Sequence, residues 1–316
     1  MGLTGNEVLT QVRGLRQWRA GEQRAPHKPL LLLLALGRLQ QQGERLMPFD
    51  EAAEPLRRLL EQFGPPRRRH HPEYPFWRLR LDGQLWEIEG EDVVDTTQAG
   101  DPKVSSLRRH DVRGGLSLQV ASLLLEDDQL FEQVVAVLLE SHFPPSLHED
   151  ICTAAGLRIR THIADQARRD PEFRIEVLRA YEYRCAMCGY DGRLDTVSVG
   201  LDAAHVQWWA YGGPDDIDNG IALCALHHRA LDRGVVGVSL DHRVLVSRRF
   251  NGSGRARELV IDLSGKPLYA PQHGLPLPAA QYLSWHGTEV FSGEARAAAA
   301  DVLVAEDRAP FGGSHV

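Results

Sequence analysis

The sequence predicts an α+β fold in two domains, the first mainly helical with a short β-hairpin and the second small and rich in cysteine and histidine. Three observations support this prediction. Apolar residues recur at helical spacing in several stretches before residue 145, one strand–turn–strand pattern interrupts them, and Cys, His, Gly and Asp become frequent after residue 183. A chain of 316 residues is long enough for two domains of ordinary size. The predicted divisions are a first domain over 1–145, a helical connector over 146–180, a second domain over 181–290 and a mobile tail over 291–316.

The helices of the first domain are predicted from the spacing of apolar residues. A first helix is indicated by the recurrence of Val8, Val12, Leu15 and Trp18. Pro29 opens a second helix that runs to about Gln42, since proline is tolerated in a first helical turn. Further helices are expected over 49–63 and 128–143, where apolar residues again fall on one face.

The β-hairpin is predicted between these helices. Two short strand-like runs, FWRLRL over 76–81 and QLWEIE over 84–89, flank the dipeptide Asp82-Gly83. This dipeptide is typical of a tight hairpin turn. In the second domain, ELVIDL over 258–263 predicts a strand and AAQYLSWHG over 279–287 predicts a helix.

Composition and charge exclude several classes of protein. A content of 43% hydrophobic and 25% charged residues is that of a globular chain and excludes disorder of the whole molecule. The longest apolar run, over 30–36, is too short to span a membrane, and the N-terminus lacks the apolar core of a signal peptide. We therefore expect a cytoplasmic protein without a membrane partner. The net charge of -7 disfavours attraction of the whole molecule to nucleic acid, so any DNA-binding surface must be local.

Two pairs of metal-ligating residues with the same spacing mark the second domain. Cys185 and Cys188 enclose two residues, and Cys224 and His227 do the same farther along. Four such ligands in two tight turns suit tetrahedral Zn²⁺, which would be structural because protein fills all four positions. The alternative is a redox Cys-x-x-Cys pair, which needs no second pair. The fourth cysteine, Cys152, is expected to be a small buried residue of the connector.

A histidine, an asparagine and a second histidine accompany these ligands. His205 ends the string LDAAH, Asn219 lies in GGPDDIDNG, and His228 directly follows the last zinc ligand. With these residues, the run over 183–238 resembles HNH endonucleases of the ββα-metal fold, including their zinc-knuckled subclass. The resemblance implies that His205 is the general base, that Asn219 braces the loop and orients the base, and that His228 binds one catalytic Mg²⁺ or Mn²⁺. Phosphodiester hydrolysis requires such an activated water and Lewis acid.

One position departs from the family pattern. Many members carry an acidic metal ligand immediately before the base histidine, where this chain has Ala204. The nearest upstream carboxylate is that of Asp202, which shares a face with Ala204 in a regular strand. Asp202 is therefore the predicted second ligand of the catalytic metal.

Three segments of the first domain are candidates for DNA contact. The segment over 24–29 precedes a predicted helix, whose N-terminus favours a phosphate. The segment over 67–77 groups apolar residues beside a basic run, and the segment over 105–109 ends in two arginines. The candidate residues are His27 and Lys28, Tyr74 and Pro75, and Arg108 and Arg109. Each segment also has an ordinary structural interpretation, as a helix cap, a core residue or a solvated loop.

Two of these segments carry a second resemblance. APHKPLLLLLALGRL and HPEYPFWRL resemble the sulfur-binding domain of phosphorothioate-dependent, McrA-like restriction endonucleases, a family that joins this domain to a C-terminal HNH nuclease. The resemblance implies that Tyr74 and Pro75 form an apolar wall for sulfur and that His27 and Lys28 hold the phosphate. Arg108 or Arg109 would reach a phosphate or a guanine edge. Sulfur keeps the negative charge of the phosphate but is larger and more weakly hydrated than oxygen, which suits a pocket that is both apolar and cationic.

Together these features predict a restriction endonuclease that recognises phosphorothioate-modified double-stranded DNA and cuts it by a one-metal HNH mechanism. One alternative is an HNH endonuclease whose target is methylated or otherwise modified DNA. The other is a zinc-stabilised DNA-binding protein that does not cut, which the departure at Ala204 favours and the intact His205 and His228 oppose. Because one chain carries one predicted active site, cutting both strands requires a homodimer or two successive nicks.

Overall fold

A computed structural model describes residues 2–15, 24–158 and 171–297. The chain divides into two compact units, Met1–Arg168 and Arg169–Val316. Three of the sequence predictions fall outside the described residues: the helical position of Trp18, the middle of the connector over 159–170, and the tail from 298 onward.

The first unit is mainly helical, as predicted. Thr4 caps its first helix by accepting from the backbone N–H of Glu7, whose side chain accepts from Thr4 in return. The second and third helices are confirmed, and the leucines of the second lie almost entirely in the core. The helices are α1 Gly5–Arg13, α2 His27–Gln42, α3 Phe49–Phe63, α4 Glu73–Arg78, α5 Val104–Arg109, α6 Leu118–Glu126, α7 Asp128–Glu140 and α8 His148–Ala154.

The predicted hairpin at Asp82-Gly83 is wrong. Residues 76–81 are helical, in α4 and a 3₁₀ turn over Leu79–Leu81, because Phe76, Trp77 and Leu79 bury one helical face whereas Leu81 is exposed. Strand pairing occurs elsewhere in the unit. A three-stranded antiparallel sheet places β3 Arg113–Leu116 between β1 Leu46–Pro48 and β2 Trp86–Glu89.

The C-terminal part of this unit packs on α2 and α3. Helix α8 contacts α3, and a Cβ atom at Gly37 of α2 would lie only 2.0 Å from the carbonyl oxygen of Ala155. Glycine at this position therefore permits close approach of the two backbones. The side chain of Gln40 donates to the carbonyl of Arg158 and accepts from its N–H. Residues 146–158 of the predicted connector thus belong to the first unit.

The second unit is built around a β-hairpin followed by a helix. Strands β6 Leu201–His205 and β7 Gly220–Cys224 pair antiparallel along their full length, with His205 opposite Gly220. Helix α10, Ala225–Asp232, follows β7 without a break and packs on both strands. Helix α9, Pro171–Ala180, packs on the same strands. This ββα arrangement confirms the predicted fold class of the domain.

Shorter elements surround this hairpin. The run ELVIDL, predicted as a strand, instead ends a helix and forms a 3₁₀ turn over Ile261–Leu263, since Val260 and Leu263 are three positions apart and both buried. The predicted helix over 279–287 is confirmed. The remaining elements are β4 Arg193–Leu194, β5 Val197–Ser198, β8 Val236–Val238, β9 Val244–Val246, α11 Arg255–Leu259 and α12 Ala280–Glu289.

Across the described parts of both units, no helix combines the length and hydropathy required to cross a bilayer.

Candidate active site and metal centre

The four predicted metal ligands come together in the second unit. One ligand atom from each of Cys185, Cys188, Cys224 and His227 lies within 4.8 Å of all the others. The Sγ atoms of Cys188 and Cys224 are 3.9 Å apart, and Nδ1 of His227 is 3.1 Å from Sγ of Cys224 and 3.6 Å from Sγ of Cys185. These separations match the edges of a small tetrahedron around one ion with ligand bonds of about 2.0 to 2.3 Å.

The surroundings of His227 fit the same interpretation. Its Nε2 lies 2.9 Å from the carbonyl oxygen of Leu259, to which an Nε2–H donates. That hydrogen bond leaves the lone pair of the neutral ring on Nδ1, the atom that faces the three sulfurs. His227 is fully buried, and Cys185 is also buried. The cluster is therefore suited to hold a structural metal ion, with His227 already oriented by Leu259.

His205 lies at the end of β6 and is held on two sides. Its Nε2 is 2.7 Å from Oδ1 of Asp215, and its side chain is only 9% exposed. The ring of Phe173, on α9, stacks against the imidazole with centroids 4.1 Å apart and planes 18° from parallel. The predicted base thus has a fixed ring plane and a fixed partner for one nitrogen.

Asn219 is fully buried and uses its amide to close the loop between the two strands. Its Oδ1 accepts from the backbone N–H of Gln207 at 2.9 Å. Its Nδ2 donates to the carbonyls of Gln207 and Pro214, at 3.0 and 2.9 Å. These contacts are those of a brace for the loop that carries Asp215.

His228, on α10, faces carboxylates from two elements. Its Nδ1 is 3.8 Å from Oδ2 of Asp202 on β6, and its Nε2 is 3.4 Å from Oδ2 of Asp232, one turn farther along α10. Asp202 also accepts from Nε of Arg174 at 2.9 Å. Ala204, the position of the missing acidic ligand, is 1% exposed. The carboxylates beside His228 therefore come from Asp202 and Asp232.

Sequence reasoning missed the contacts made by Phe173, Arg174, Asp215 and Asp232. Two of them carried a signal. Asp215 lies in the same acidic loop as Asn219, and Asp232 is four residues after His228, the spacing that places two side chains on one helical face. Phe173 and Arg174 carried no such signal, because their contacts with β6 depend on how helix α9 packs on a strand distant in sequence.

The first unit brings part of its predicted site together at the start of α2. Burial, together with the nearby charges of His70, Arg67 and His71, lowers the pKa of His27 to about 4. The ring of His71 in turn stacks on Tyr74, with centroids 5.0 Å apart. Helices α2 and α4 pack against each other. His27 and Tyr74 therefore border one cationic region.

The other members of this predicted site differ in accessibility. The ring of Tyr74 is 37% exposed, whereas Pro75 is buried in α4. Nζ of Lys28 forms an ion pair with Oδ2 of Asp82 at 2.6 Å, with side chains 16% and 3% exposed. Much of the charge of Lys28 is thus balanced within the unit.

Arg108 and Arg109 lie at the end of α5. Nε of Arg108 forms an exposed ion pair with Oδ1 of Asp50 at 2.7 Å. Arg109 is exposed and makes no ion pair within the described residues. No contact in the described residues joins these arginines to His27 or Tyr74.

Two family models match the chain. The model of the ScoMcrA-like DNA sulfur-binding domain matches residues 5–160, and that of the HNH endonuclease matches residues 185–239. The chain therefore combines a DNA sulfur-binding domain with an HNH endonuclease domain, which is the composition of an McrA-type restriction endonuclease. No curated protein matches the chain.

Solved structures of similar proteins include two isolated domains and one longer enzyme. The sulfur-binding domain of ScoMcrA complexed with phosphorothioated DNA is 27% identical, covers 47% of this chain and 94% of its own, and has a TM-score of 0.42. The corresponding SprMcrA complex is 26% identical over 49% of this chain and 95% of its own, with a TM-score of 0.41. The type IV phosphorothioation-dependent restriction endonuclease ScoMcrA is 25% identical, with a TM-score of 0.39; the match covers 48% of this chain but only 35% of that enzyme.

Proposed function

Since this chain carries the two domains of an McrA-type restriction endonuclease, we propose that it binds phosphorothioate-modified DNA through its first unit and hydrolyses phosphodiester bonds with its second. The observation that carries the proposal is the convergence of His205, Asn219 and His228 on one ββα unit, apart from a complete four-ligand metal cluster. A domain that only bound DNA would need the cluster for stability but not the three polar residues.

His205 is the proposed general base. It removes a proton from a water molecule as the oxygen of that water bonds to phosphorus, and the bond from phosphorus to the 3′ oxygen breaks. The leaving oxygen then takes a proton from solvent. Asn219 contributes indirectly, because it holds the loop around the base through its contacts with Gln207 and Pro214.

His228 is the proposed ligand of a catalytic divalent ion, Mg²⁺ or Mn²⁺, together with Asp202. Asp232 adds a second carboxylate beside the same imidazole. Carboxylate oxygens suit these hard ions, and an open coordination shell is expected with few protein ligands. Such an ion supplies Lewis acidity to the phosphate and the departing oxygen.

The four-ligand cluster is the proposed site of Zn²⁺. Three thiolates and one imidazole form a donor set that selects zinc over Mg²⁺ or Mn²⁺, and protein occupies every position. The ion would connect the turn at 185–188 to the start of α10. Zinc therefore stabilises the segment that presents His228 and takes no part in hydrolysis.

The cationic region at the start of α2 is the proposed sulfur site. Tyr74 offers an exposed ring that stacks on His71, and Pro75 lies next to Tyr74 in the same helix. His27 and Lys28 would hold the phosphate, and Arg108 or Arg109 would contact the flanking DNA. Since Lys28 is paired with Asp82, general attraction to DNA is weak and apolar contact with sulfur contributes more of the selectivity.

The test uses three plasmids of one sequence: phosphorothioated, methylated and unmodified. Binding and cleavage are measured separately, with Mg²⁺, with Mn²⁺ and with neither, for wild type and His205→Ala. We expect cleavage of the phosphorothioated plasmid alone, which requires the divalent ion and is lost in His205→Ala while binding persists. Cleavage of the methylated plasmid instead would show that methylated DNA is the target. Binding without cleavage by wild type would contradict the proposed nuclease activity.

A further inference from the structure

We infer that Asp215 is a positioning residue, which fixes the ring orientation and the tautomer of His205. The inference rests on the proposed role of His205 as the general base. Its basis is the 2.7 Å contact between Oδ1 of Asp215 and Nε2 of His205. At that distance an Nε2–H donates to the carboxylate, and the partly buried position of both side chains strengthens the hydrogen bond.

The contact decides which nitrogen accepts the proton. A neutral imidazole carries one N–H and one lone pair, so an Nε2–H bound to Asp215 leaves the lone pair on Nδ1. The proton of the attacking water therefore passes to Nδ1. The ring is then positively charged, and the carboxylate of Asp215 stabilises that charge without itself taking the proton.

Two further contacts hold this pair in place. Phe173 stacks on the imidazole and is itself buried, so the ring cannot rotate out of its plane without leaving that contact. On the other side, Nδ2 of Asn219 donates to the carbonyl of Pro214, the residue before Asp215. Asn219 thus positions Asp215, and Asp215 positions His205.

The neighbouring acidic residue offers a matched control. Asp216 is exposed, and within the described residues its carboxylate makes no contact with His205. Other charged groups on the elements around β6 include Glu172, Arg174, Glu176 and Arg179 of α9, Asp218 of the loop, Arg229 of α10, and the cluster of Asp202, His228 and Asp232. All of these remain in Asp215→Asn and Asp216→Asn, which remove the same charge from adjacent positions.

The experiment compares the full-length wild type with Asp215→Ala, Asp215→Asn, Asp216→Asn and His205→Ala. Single-turnover cleavage of phosphorothioated plasmid is measured across pH, together with DNA affinity, zinc content and thermal stability. Asp215→Ala should cleave about 100-fold more slowly, as expected for loss of a well-placed base. Asp215→Asn should lose less of the cleavage rate than Asp215→Ala. The acidic limb of its pH–rate profile should shift to lower pH, because the charge that favours the protonated imidazole is gone. Asp216→Asn should match wild type, and affinity, zinc content and stability should not change.

A second measurement does not depend on cleavage. ¹⁵N chemical shifts of histidine, assigned with His205→Ala, report which ring nitrogen of His205 is protonated. We expect an Nε2–H in wild type and a mixture of tautomers in Asp215→Ala. An Nδ1–H in wild type, or full cleavage by Asp215→Ala, overturns the inference while the nuclease proposal stands. Parallel losses of affinity, zinc and stability in Asp215→Ala also overturn it, in favour of a purely structural role. If wild type cuts none of the plasmids, the proposed function fails and this inference fails with it.

Discussion

The two units of the chain hold their candidate functional residues in different ways. In the second unit the four metal ligands lie within 4.8 Å of one another, and His205 and His228 lie on one hairpin and the helix that follows it, each beside a carboxylate. In the first unit a large leucine core defines the fold, and two of the candidate cations are paired with carboxylates of the same unit. Stability and function are therefore closely linked in the second unit and largely separate in the first.

This difference has a physical cause. The second unit adds metal ligation, which contributes folding free energy, to a buried core of its own, so the cluster both stabilises the unit and holds the segment that carries His228. The first unit buries a large apolar core in α2, α3 and α7, and its described residues hold no cluster of metal ligands. Its surface residues are therefore not needed as metal ligands and are available for contact with DNA.

The largest expected effect tests the dependence of the second unit on metal. Cys224→Ser should remove about one zinc per chain and unfold the second unit, because a three-ligand site loses most of its affinity. Amide hydrogen exchange on the full chain should show rapid exchange over β6, β7 and α10 and unchanged protection in α2. Cys152→Ser, at the cysteine outside the cluster, is the control and should keep its zinc. A full zinc content in Cys224→Ser would contradict the assignment.

The next effect concerns ion pairs of the first unit. Lys28→Ala leaves Asp82 buried and charged, which should lower the free energy of unfolding by about 3 kcal/mol. Arg108→Ala breaks an exposed pair and should cost less than about 1 kcal/mol. Urea denaturation of the two variants measures the difference. Adding Asp82→Asn to Lys28→Ala should recover most of the lost free energy of unfolding. Equal stabilities of Lys28→Ala and Arg108→Ala would contradict the prediction that the buried ion pair contributes more than the exposed one.

Acid should destabilise the first unit through its buried histidines. Burial lowers the pKa of His142 to about 4, from an ordinary value near 6.5. The unfolded chain therefore binds a proton more readily, so stability is complete above pH 6.5 and falls as the pH approaches 4. The difference corresponds to at most about 3 kcal/mol. His142→Gln should reduce the fall of the urea midpoint between pH 6.5 and 4, to which His27 still contributes, whereas the exposed His110→Gln should follow wild type.

The smallest effect concerns selectivity alone. Tyr74→Ala removes apolar contact with sulfur but not the attraction common to all DNA, so it should reduce the ratio of affinities for phosphorothioated and plain duplex about tenfold, or about 1.4 kcal/mol. Arg109→Ala should weaken both affinities alike and reduce the salt dependence by about one charge. Dissociation constants at two salt concentrations separate the two results. An unchanged ratio in Tyr74→Ala would place the sulfur site elsewhere.

The four metal ligands and their order along the chain followed from the amino-acid sequence alone. Cys185, Cys188, Cys224 and His227 could be named because metal ligation fixes both residue type and spacing. The bounds of α3 followed from its apolar face, since a long amphipathic pattern leaves few alternatives. His205, Asn219 and His228 fall within one ββα unit because a hairpin and its following helix are local in sequence.

Features that depend on packing between distant segments became apparent only in the folded structure. Residues 76–81 have an alternation that fits a strand, but burial of Phe76, Trp77 and Leu79 against the core makes them helical. The pairing of Lys28 with Asp82 and the stacking of Phe173 on His205 join segments far apart in the chain. Local propensity carries no information about such partners, because the free energy that selects them comes from contacts formed only when the whole unit has folded.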